Sequence, residues 1–166
     1  MKNVLVISTS LRDMSNSERL ADAFIEGIKA AHHIVEKVTL KEKAISFCKG
    51  CLACQKTQKC VIKDDAAAIV EKMKNADVVV TGEGRLDAQT VMGKAPVGVA
   101  ALAKKYNAKV IAFAGSVAPE ASVCNQAGID AFFPIVRGVT TLEEAMKKEN
   151  AMENIAATAE QVFRLL

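Results

Sequence analysis

The sequence predicts a three-layer α/β protein in which five parallel strands are covered by helices on both faces. Three observations lead to this prediction. Short apolar runs alternate with segments of helical periodicity along the whole chain. Apolar residues make up 51% of the 166 residues, which is enough for one buried core. No repeat, linker or low-complexity tract divides the sequence, so we expect a single domain over residues 1–166.

The first half contains three predicted strands and two predicted helices. Asn3–Ser8 is a continuous apolar run, which is typical of a buried parallel strand. Residues 17–31 carry Leu20, Phe24 and Ile28 on one face of a helix. The other elements of this half are predicted as strand 34–40, helix 66–75 and strand 77–81.

The second half continues the alternation after a polar loop at residues 82–93. Pro96 suits the first turn of a helix that runs to Tyr106. Gly128 stands where a short preceding helix should stop. The remaining elements are predicted as strand 110–114, helix 119–127, strand 130–136, a helix that starts near Thr140 and Thr141, and a closing helix 150–166.

Right-handed crossovers leave few ways to connect these elements. The favoured order is 2-1-3-4-5, the doubly wound arrangement called flavodoxin-like. It creates a ligand crevice at the carboxyl ends of strands 1 and 3. The loops at that edge are residues 9–16, 82–90 and 115–118.

Composition narrows the range of partners. The net charge is only +3, and with one Tyr and no Trp the chain has no aromatic-basic surface for nucleic acid. The apolar runs are too short to span a membrane, and five cysteines fit a reducing compartment. We therefore expect a cytoplasmic protein that binds a small molecule or flavin, with a homodimer as the assembly to test.

The loop after the first strand is rich in hydroxyl groups and opens a helix. Hydroxyls, backbone N–H groups and the guanidinium of Arg12 converge there, as they do where proteins bind phosphate. The alternative interpretation is an ordinary loop with a serine at the helix N-cap.

Residues 1 to about 80 resemble the NAD(P)H-dependent FMN reductases and iron–sulfur flavoproteins. The resemblance rests on VLVISTSLRDMSNSERLADAF, FCKGCLACQKTQKCVIKDD and NADVVV. It implies that the first segment wraps the FMN phosphate and that the loop after strand 3 faces the flavin ring. That loop has no aromatic residue to stack on the ring, so we expect weak FMN binding. The implied cofactor residues are Ser8, Ser10, Arg12, Ser15, Asn16, Ser17, Gly82 and Glu83.

Four cysteines follow the spacing C-x2-C-x2-C-x5-C. They are Cys48, Cys51, Cys54 and Cys60. Four thiolates so close in sequence can enclose one [4Fe–4S] cluster or one zinc ion. The alternative is that they stay reduced in a loop. The resemblance implies a cluster that exchanges electrons with FMN, whereas Cys124 is predicted to be a small buried apolar residue.

The region from residue 77 to residue 166 resembles the C-terminal part of bacterial two-domain glycerate kinases. The resemblance rests on ADVVVTGEGRLDAQTVMGKAPVGVAALAKKYNAKVIAFAGSV, GIDAFFPI and TLEEAM. Its polar candidates are Glu83, Arg85, Asp87, Gln89, Thr90 and Lys94. The alternative is that these residues form ion pairs and cap the next helix. The chain has no G-x-x-x-x-G-K-[ST] loop and no second kinase domain, so we expect no kinase activity.

The two resemblances meet in one strand, ADVVVTG at residues 76–82. We therefore interpret the chain as a chimera of residues 1–76 and 77–166, typical of an engineered join, with a natural fusion as the alternative. The predicted function is a folded scaffold with residual FMN or phosphate binding and no efficient catalysis, so no catalytic residue is assigned. The alternatives are an FMN-dependent NAD(P)H oxidoreductase with an iron–sulfur cluster and a glycerate-kinase-related metabolite-binding domain.

Overall fold

The computed structural model describes residues 1–8 and 10–166, and it alternates strand and helix as predicted. Over these residues, no helix combines the length and the apolar character needed to cross a membrane. The helices and strands are β1 (Asn3–Ser8), α1 (Asn16–Ala30), β2 (Ile34–Thr39), α2 (Ala53–Thr57), α3 (Asp65–Lys74), β3 (Val78–Leu86), α4 (Ala95–Lys104), β4 (Lys109–Val117), α5 (Val123–Gln126), β5 (Ala131–Pro134), α6 (Leu142–Ala145) and α7 (Lys148–Phe163), with 3-10 turns at Leu40–Glu42, Ala88–Val91 and Pro119–Ser122.

The strands are parallel, but the described residues form two sheets instead of the single five-stranded sheet that the sequence predicted. β1 pairs with β2, and β4 lies between β3 and β5. Side chains link the two sheets: Val4 and Val78 share one core, and the Lys2 ammonium lies 3.9 Å from the Asp77 carboxylate. Backbone hydrogen bonds form only between strands that lie about 4.8 Å apart in matched register. Apolar side chains can pack together without meeting either condition.

The two faces of the β3–β4–β5 sheet carry separate cores. On one face, Phe24 of α1 contacts Phe113 of β4 and Phe163 of α7, with ring centroids 5.4 and 5.8 Å apart. On the other face, α4 and α5 cover a core of small residues that includes Ala100 and Cys124. Helices therefore cover both faces, as the three-layer prediction required.

β3 and β4 both run further than predicted, into residues that the sequence assigned to loops. Their pairing continues to Leu86 and Val117. Two glycines allow this close approach. A Cβ at Gly82 would lie 2.4 Å from the Phe113 carbonyl oxygen, and one at Gly115 would lie 2.7 Å from the Gly84 carbonyl oxygen. The extra length carries the end of β3 towards the start of α4.

His33 ties the first half of the chain to the last helix. The backbone N–H of Lys2 donates to His33 Nδ1 at 2.9 Å, and His33 Nε2 lies 2.9 Å from the Phe163 carbonyl oxygen. Since Nδ1 accepts, Nε2 is the ring nitrogen that donates, and its acceptor is the Phe163 carbonyl oxygen. This bridge holds the end of α7 against the starts of β1 and β2.

Candidate functional site

The loop between β1 and α1 opens a long helix with a serine cap. Ser15 is the N-cap, and its hydroxyl accepts the Glu18 backbone N–H at 3.1 Å. The Ser17 hydroxyl lies 3.2 Å from the Ser15 hydroxyl, and Asn16 is the first helical residue. The N-terminus of a 15-residue helix supplies backbone donors and a partial positive charge, both of which favour an anion.

The middle of this loop is a turn held by a serine. The Arg12 backbone N–H donates to the Ser10 hydroxyl at 3.2 Å, and that hydroxyl lies 3.1 Å from the Arg12 carbonyl oxygen. The Arg12 side chain is exposed, while Ser8 is buried at the end of β1. Arg12 is therefore accessible to an anion, and the Ser8 side chain is not. Thr9, in the predicted loop, lies outside the described residues.

The loop also carries carboxylates, each of which has a lysine partner. Glu18 in the first turn of α1 lies 3.5 Å from the Lys37 ammonium, and Asp13 pairs with Lys41. These ion pairs reduce the repulsion that the two carboxylates would exert on a bound phosphate.

The strand register separates the polar residues at the end of β3. Glu83 pairs with Ala114, and Leu86 with Val117; Ala114, Leu86 and Val117 all belong to the core under α4. Glu83 faces α4, where it bonds to Thr90 and Lys94. Its neighbour Gly82 faces the side of α1 and α7, because adjacent residues of a strand point to opposite faces. Glu83 and Gly82 were predicted together as flavin-ring residues, and the fold directs them to opposite faces.

Glu83 belongs to a polar network at the start of α4. The buried Thr90 hydroxyl donates to Glu83 Oε1 at 2.5 Å and accepts the Asp87 backbone N–H at 3.2 Å. The Lys94 ammonium lies 3.4 Å from Glu83 Oε2 and 3.3 Å from Asp87 Oδ1. The kinase-like motif residues Glu83, Asp87, Thr90 and Lys94 therefore bond mainly to one another.

Asp87 and Lys94 are held in their charged forms. Partial burial opposes the charged form of both groups, but it is outweighed. The ion pair with Lys94 and the Gln89 backbone N–H lower the pKa of Asp87, and hydrogen bonding and attraction to Asp87 raise the pKa of Lys94. Proton transfer near neutral pH needs a group whose pKa lies near 7. Neither Asp87 nor Lys94 is suited to that task.

The sequence did not predict that Cys124 lies beside this network. Its thiol is buried and donates to the Asp87 carbonyl oxygen at 3.8 Å. Burial, followed by the nearby Glu83 carboxylate, raises the pKa of the Cys124 thiol. The sequence did hold a signal for the network itself, because Asp87 and Thr90 have the spacing of a helix capping box.

The four clustered cysteines are exposed and free. Cys54 lies in the short helix α2, and Cys48 accepts the Gly50 backbone N–H at 3.4 Å. Throughout the described part of the chain, no three His, Cys, Asp or Glu residues are gathered closely enough to hold a metal ion. The fold therefore does not bring Cys48, Cys51, Cys54 and Cys60 together as one ligand set.

Two family models match the chain. The model of the glycerate kinase family matches residues 50–166, and that of NADPH-dependent FMN reductase matches residues 2–83. The two matches overlap at residues 50–83. This overlap contains residues 76–82, the strand in which the two resemblances meet.

Curated relatives divide in the same way. A glycerate kinase of Bacillus cereus is 52% identical over 90 residues, which is 54% of this chain and 23% of that protein. An iron–sulfur flavoprotein of Archaeoglobus fulgidus is 40% identical over 67 residues, which is 40% of this chain and 33% of that protein. The chain thus spans about a quarter of the first protein and a third of the second.

An azoreductase from Bacillus anthracis has a similar structure over 100% of both chains, with a TM-score of 0.50 and 15% sequence identity. This likeness supports the α/β fold with parallel strands.

Proposed function

Because the chain belongs to the glycerate kinase family through residues 50–166 and matches the FMN reductase family over residues 2–83, we propose that it is a chimera of the two. In this proposal an engineered join unites residues 1–76 and 77–166 in a single flavodoxin-like domain. The domain is a folded scaffold that keeps weak FMN or phosphate binding at the β1–α1 loop. It performs no efficient catalysis.

The start of α1 is the observation that carries the binding proposal. Ser15 caps a 15-residue helix, and the exposed Arg12 guanidinium lies in the same loop. Backbone donors at a helix N-terminus, together with arginine, are the groups that bind phosphate most effectively. Ser10 acts by holding the turn, while Asn16 and Ser17 offer the first helical donors.

The flavin ring, at the other end of FMN from the phosphate, would make few favourable contacts with the protein. Residues 82–94 after the start of β3 contain no aromatic side chain that could stack on a flavin ring. Glu83 is engaged by Thr90 and Lys94 on the far face of the sheet, so it does not place a negative charge beside the ring. Gly82, which has no side chain to contact a ring, remains on the α1 side. We therefore propose affinity dominated by the phosphate.

The lack of kinase chemistry follows from the network around Thr90. Lys94 already bonds to two carboxylates, and phosphoryl transfer depends on free groups that orient a nucleotide and a metal ion. This saturated network likewise gives no support to a separate metabolite-binding role.

The four cysteines match an iron–sulfur cluster in donor chemistry but not in arrangement. Thiolates suit a [4Fe–4S] cluster, yet three of them are not gathered in the described chain. We therefore assign no electron transfer to this segment. An FMN-dependent oxidoreductase remains the alternative function, and it would require both a reorganised cysteine segment and a ring site.

We also propose that β1 lies beside β3, which gives the strand order 2-1-3-4-5 across the two sheets. The shared core of Val4 and Val78 and the ion pair between Lys2 and Asp77 support this order. In that order the β1–α1 loop and the end of β3 lie at one edge.

A fluorescence titration with FMN and with riboflavin tests the binding proposal. Riboflavin has the same ring without the phosphate, so it is the matched control ligand. We expect saturable FMN binding in the micromolar range, competition by inorganic phosphate, no riboflavin binding, and NAD(P)H oxidation at the level of free FMN. Equal affinity for both flavins would contradict a phosphate-anchored site, and rapid NAD(P)H oxidation would support the oxidoreductase.

A further inference from the structure

The cysteine segment, residues 44–65, is held closed at its base by two aspartates. The Ala44 backbone N–H donates to Asp65 Oδ2 at 2.8 Å, and the Asp65 N–H donates back to the Ala44 carbonyl oxygen at 3.1 Å. The Ser46 N–H donates to Asp64 Oδ2 at 2.8 Å, and Asp64 also caps α3. The chain between these anchors therefore forms a closed loop, and both carboxylates at its base accept backbone hydrogen bonds.

The loop carries positive charge that no carboxylate neutralises. Residues 47–63 contain four lysines and no acidic residue. All four lysines are exposed, and across residues 1–8 and 10–166 no carboxylate lies within ion-pair distance of them. They are Lys49, Lys56, Lys59 and Lys63. Even with the two anchoring aspartates counted, residues 44–65 hold +2 of the net charge of +3 on the whole chain.

The four exposed thiols of the segment lie among these lysines. Lys49 directly follows Cys48, and Lys59 directly precedes Cys60. Unpaired ammonium groups attract an approaching anion and raise its concentration at the surface beside them. A thiol reagent that carries negative charge should therefore reach these sulfur atoms more often than a neutral or a cationic reagent does.

We propose that the cysteine segment is a modification site for disulfides that carry carboxylates, a class that includes peptide disulfides of the glutathione type. In the first step a thiolate of the segment attacks one sulfur of the disulfide. A new S–S bond joins the protein to that half of the reagent, the old S–S bond breaks, and the other half leaves as a thiolate. The lysines speed this step by attracting the reagent.

A second thiol of the same segment completes the reaction. It attacks the protein sulfur of the mixed disulfide, and the bound half of the reagent leaves as a thiolate. Two protein thiols are thereby oxidised to one disulfide, the reagent is reduced to two thiols, and the two protons of the protein thiols pass to the products. The four cysteines stand three to twelve residues apart, so closing a loop between two of them costs little entropy.

This chemistry makes a smaller demand on the segment than a metal cluster does. A disulfide needs only two sulfurs to meet, whereas a [4Fe–4S] cluster needs four ligands in one place. In the described residues, no three potential metal ligands are gathered closely enough to hold an ion. The inference does not depend on flavin or phosphate binding.

Rates of thiol loss with three simple disulfides at low salt test the first step. Dithiodipropionate is anionic, cystamine is cationic, and hydroxyethyl disulfide is neutral. The test variant combines Lys49→Gln, Lys56→Gln and Lys59→Gln. Each rate is compared with that of the unchanged protein and divided by the same ratio for the neutral reagent, which removes any change in the thiols themselves. We expect the anionic reagent to slow by about three- to tenfold and the cationic reagent to react faster.

Salt and a second set of lysines provide the controls. At about 1 M salt the Debye length is about 3 Å, so the difference between reagents should disappear. The control variant removes three exposed lysines outside the segment and should leave the corrected rates unchanged. It combines Lys105→Gln, Lys109→Gln and Lys148→Gln. If the anionic reagent slows no more than the neutral one in the test variant, or equally in the control variant, the proposal is overturned.

Mass spectrometry tests the second step with one equivalent of dithiodipropionate per chain. We expect the intact protein to lose two thiols without keeping the reagent, and peptide mapping to place the new disulfide within residues 44–65. A stable adduct that retains half of the reagent, or a disulfide that joins two chains, would overturn this step.

Discussion

Gly27 of α1 lies directly against the backbone of Ala156 in α7. A Cβ built on Gly27 would be 2.1 Å from the Ala156 carbonyl oxygen and 3.0 Å from the Ala159 Cβ. The two helices, one from each half of the chain, therefore approach closely at this point. A side chain of any size at position 27 must push them apart.

Gly27→Ala should destabilise the protein by about 1–3 kcal/mol, because the neighbouring backbone cannot yield as a flexible side chain could. Urea unfolding measures the change. Gly98→Ala is the matched control, since it makes the same substitution in a helix with open space around it. The control should stabilise the protein by up to about 1 kcal/mol through helix propensity alone. Equal effects of the two substitutions would exclude a close contact at Gly27.

Thr90→Val keeps the shape of a fully buried side chain and removes its hydroxyl. The Glu83 carboxylate loses a donor and the Asp87 backbone N–H loses an acceptor. We expect a loss of about 1–3 kcal/mol in the free energy of unfolding. Thr140→Val, at an exposed threonine, should change it by less than about 0.5 kcal/mol. A similarly small change in Thr90→Val would show that the network contributes little to stability.

Arg12→Ala should weaken FMN binding by about 1.5–3 kcal/mol if the guanidinium meets the phosphate. Flavin fluorescence gives the dissociation constant. Arg164→Ala removes an arginine that pairs with Glu160 far from the loop, so it controls for the loss of one positive charge. Unchanged FMN affinity in Arg12→Ala would remove Arg12 from the site.

The thiols should divide into two groups in their reaction with a disulfide reagent. Cys48, Cys51, Cys54 and Cys60 are exposed and should react rapidly. Cys124 is fully buried and its pKa is raised, so it carries less thiolate and should react only when the protein unfolds. Rapid reaction of five thiols in the native protein would contradict the packing of α5.

Iron binding provides a separate test of the cysteine segment. After anaerobic reconstitution, we expect less than one [4Fe–4S] cluster per chain, because the segment must rearrange before its thiolates can meet. Cys51→Ser should remove whatever iron is bound. A full complement of iron in the unchanged protein would support the alternative iron–sulfur flavoprotein function, and full retention in Cys51→Ser would exclude that cysteine as a ligand.

Asp130 should contribute to stability above the ordinary pKa of an aspartate. Hydrogen bonds from the Lys104 ammonium at 2.5 Å and the Val110 backbone N–H at 2.7 Å lower the pKa of Asp130. The unfolded chain therefore takes up the proton first as the pH falls, and the contribution is lost on passing from about pH 4 through the lowered pKa. Asp130→Asn should make the free energy of unfolding, measured with urea, fall less steeply as the pH drops below about 4. Glu143→Gln controls for the loss of one negative charge. An unchanged pH dependence of the unfolding free energy in Asp130→Asn would contradict the stabilising role of Asp130.

Local patterns predicted the order of strands and helices because each element carries its own signal. The apolar run at Asn3–Ser8 and the helical periodicity of Leu20, Phe24 and Ile28 are complete within a few residues. The length of β3 was less predictable. Polar residues and two glycines suggested a loop, and the close approach of Gly82 to Phe113 depends on a strand that is distant in sequence.

For the polar residues too, local roles could be predicted from the sequence and contacts between distant residues could not. Ser15 and Thr90 were candidates through the two resemblances, with helix capping as the alternative interpretation, and both lie in caps because a capping residue acts on its immediate neighbours. The direction of Glu83 depends on the register of β3 against β4, which the sequence does not state. The contact of Cys124 with the Asp87 carbonyl links residues 37 positions apart and left no local pattern.

The bridge from His33 to Phe163 has a consequence for anyone who exchanges one half of this chain for another. Side chains, not strand pairing, connect the two described sheets, so a replacement half need not reproduce a hydrogen-bond ladder. A replacement for residues 1–76 must instead supply a small residue opposite Ala156 and a donor for the Phe163 carbonyl. Modular recombination across this boundary is thus governed by a few matched contacts, which can be screened by sequence before any hybrid gene is made.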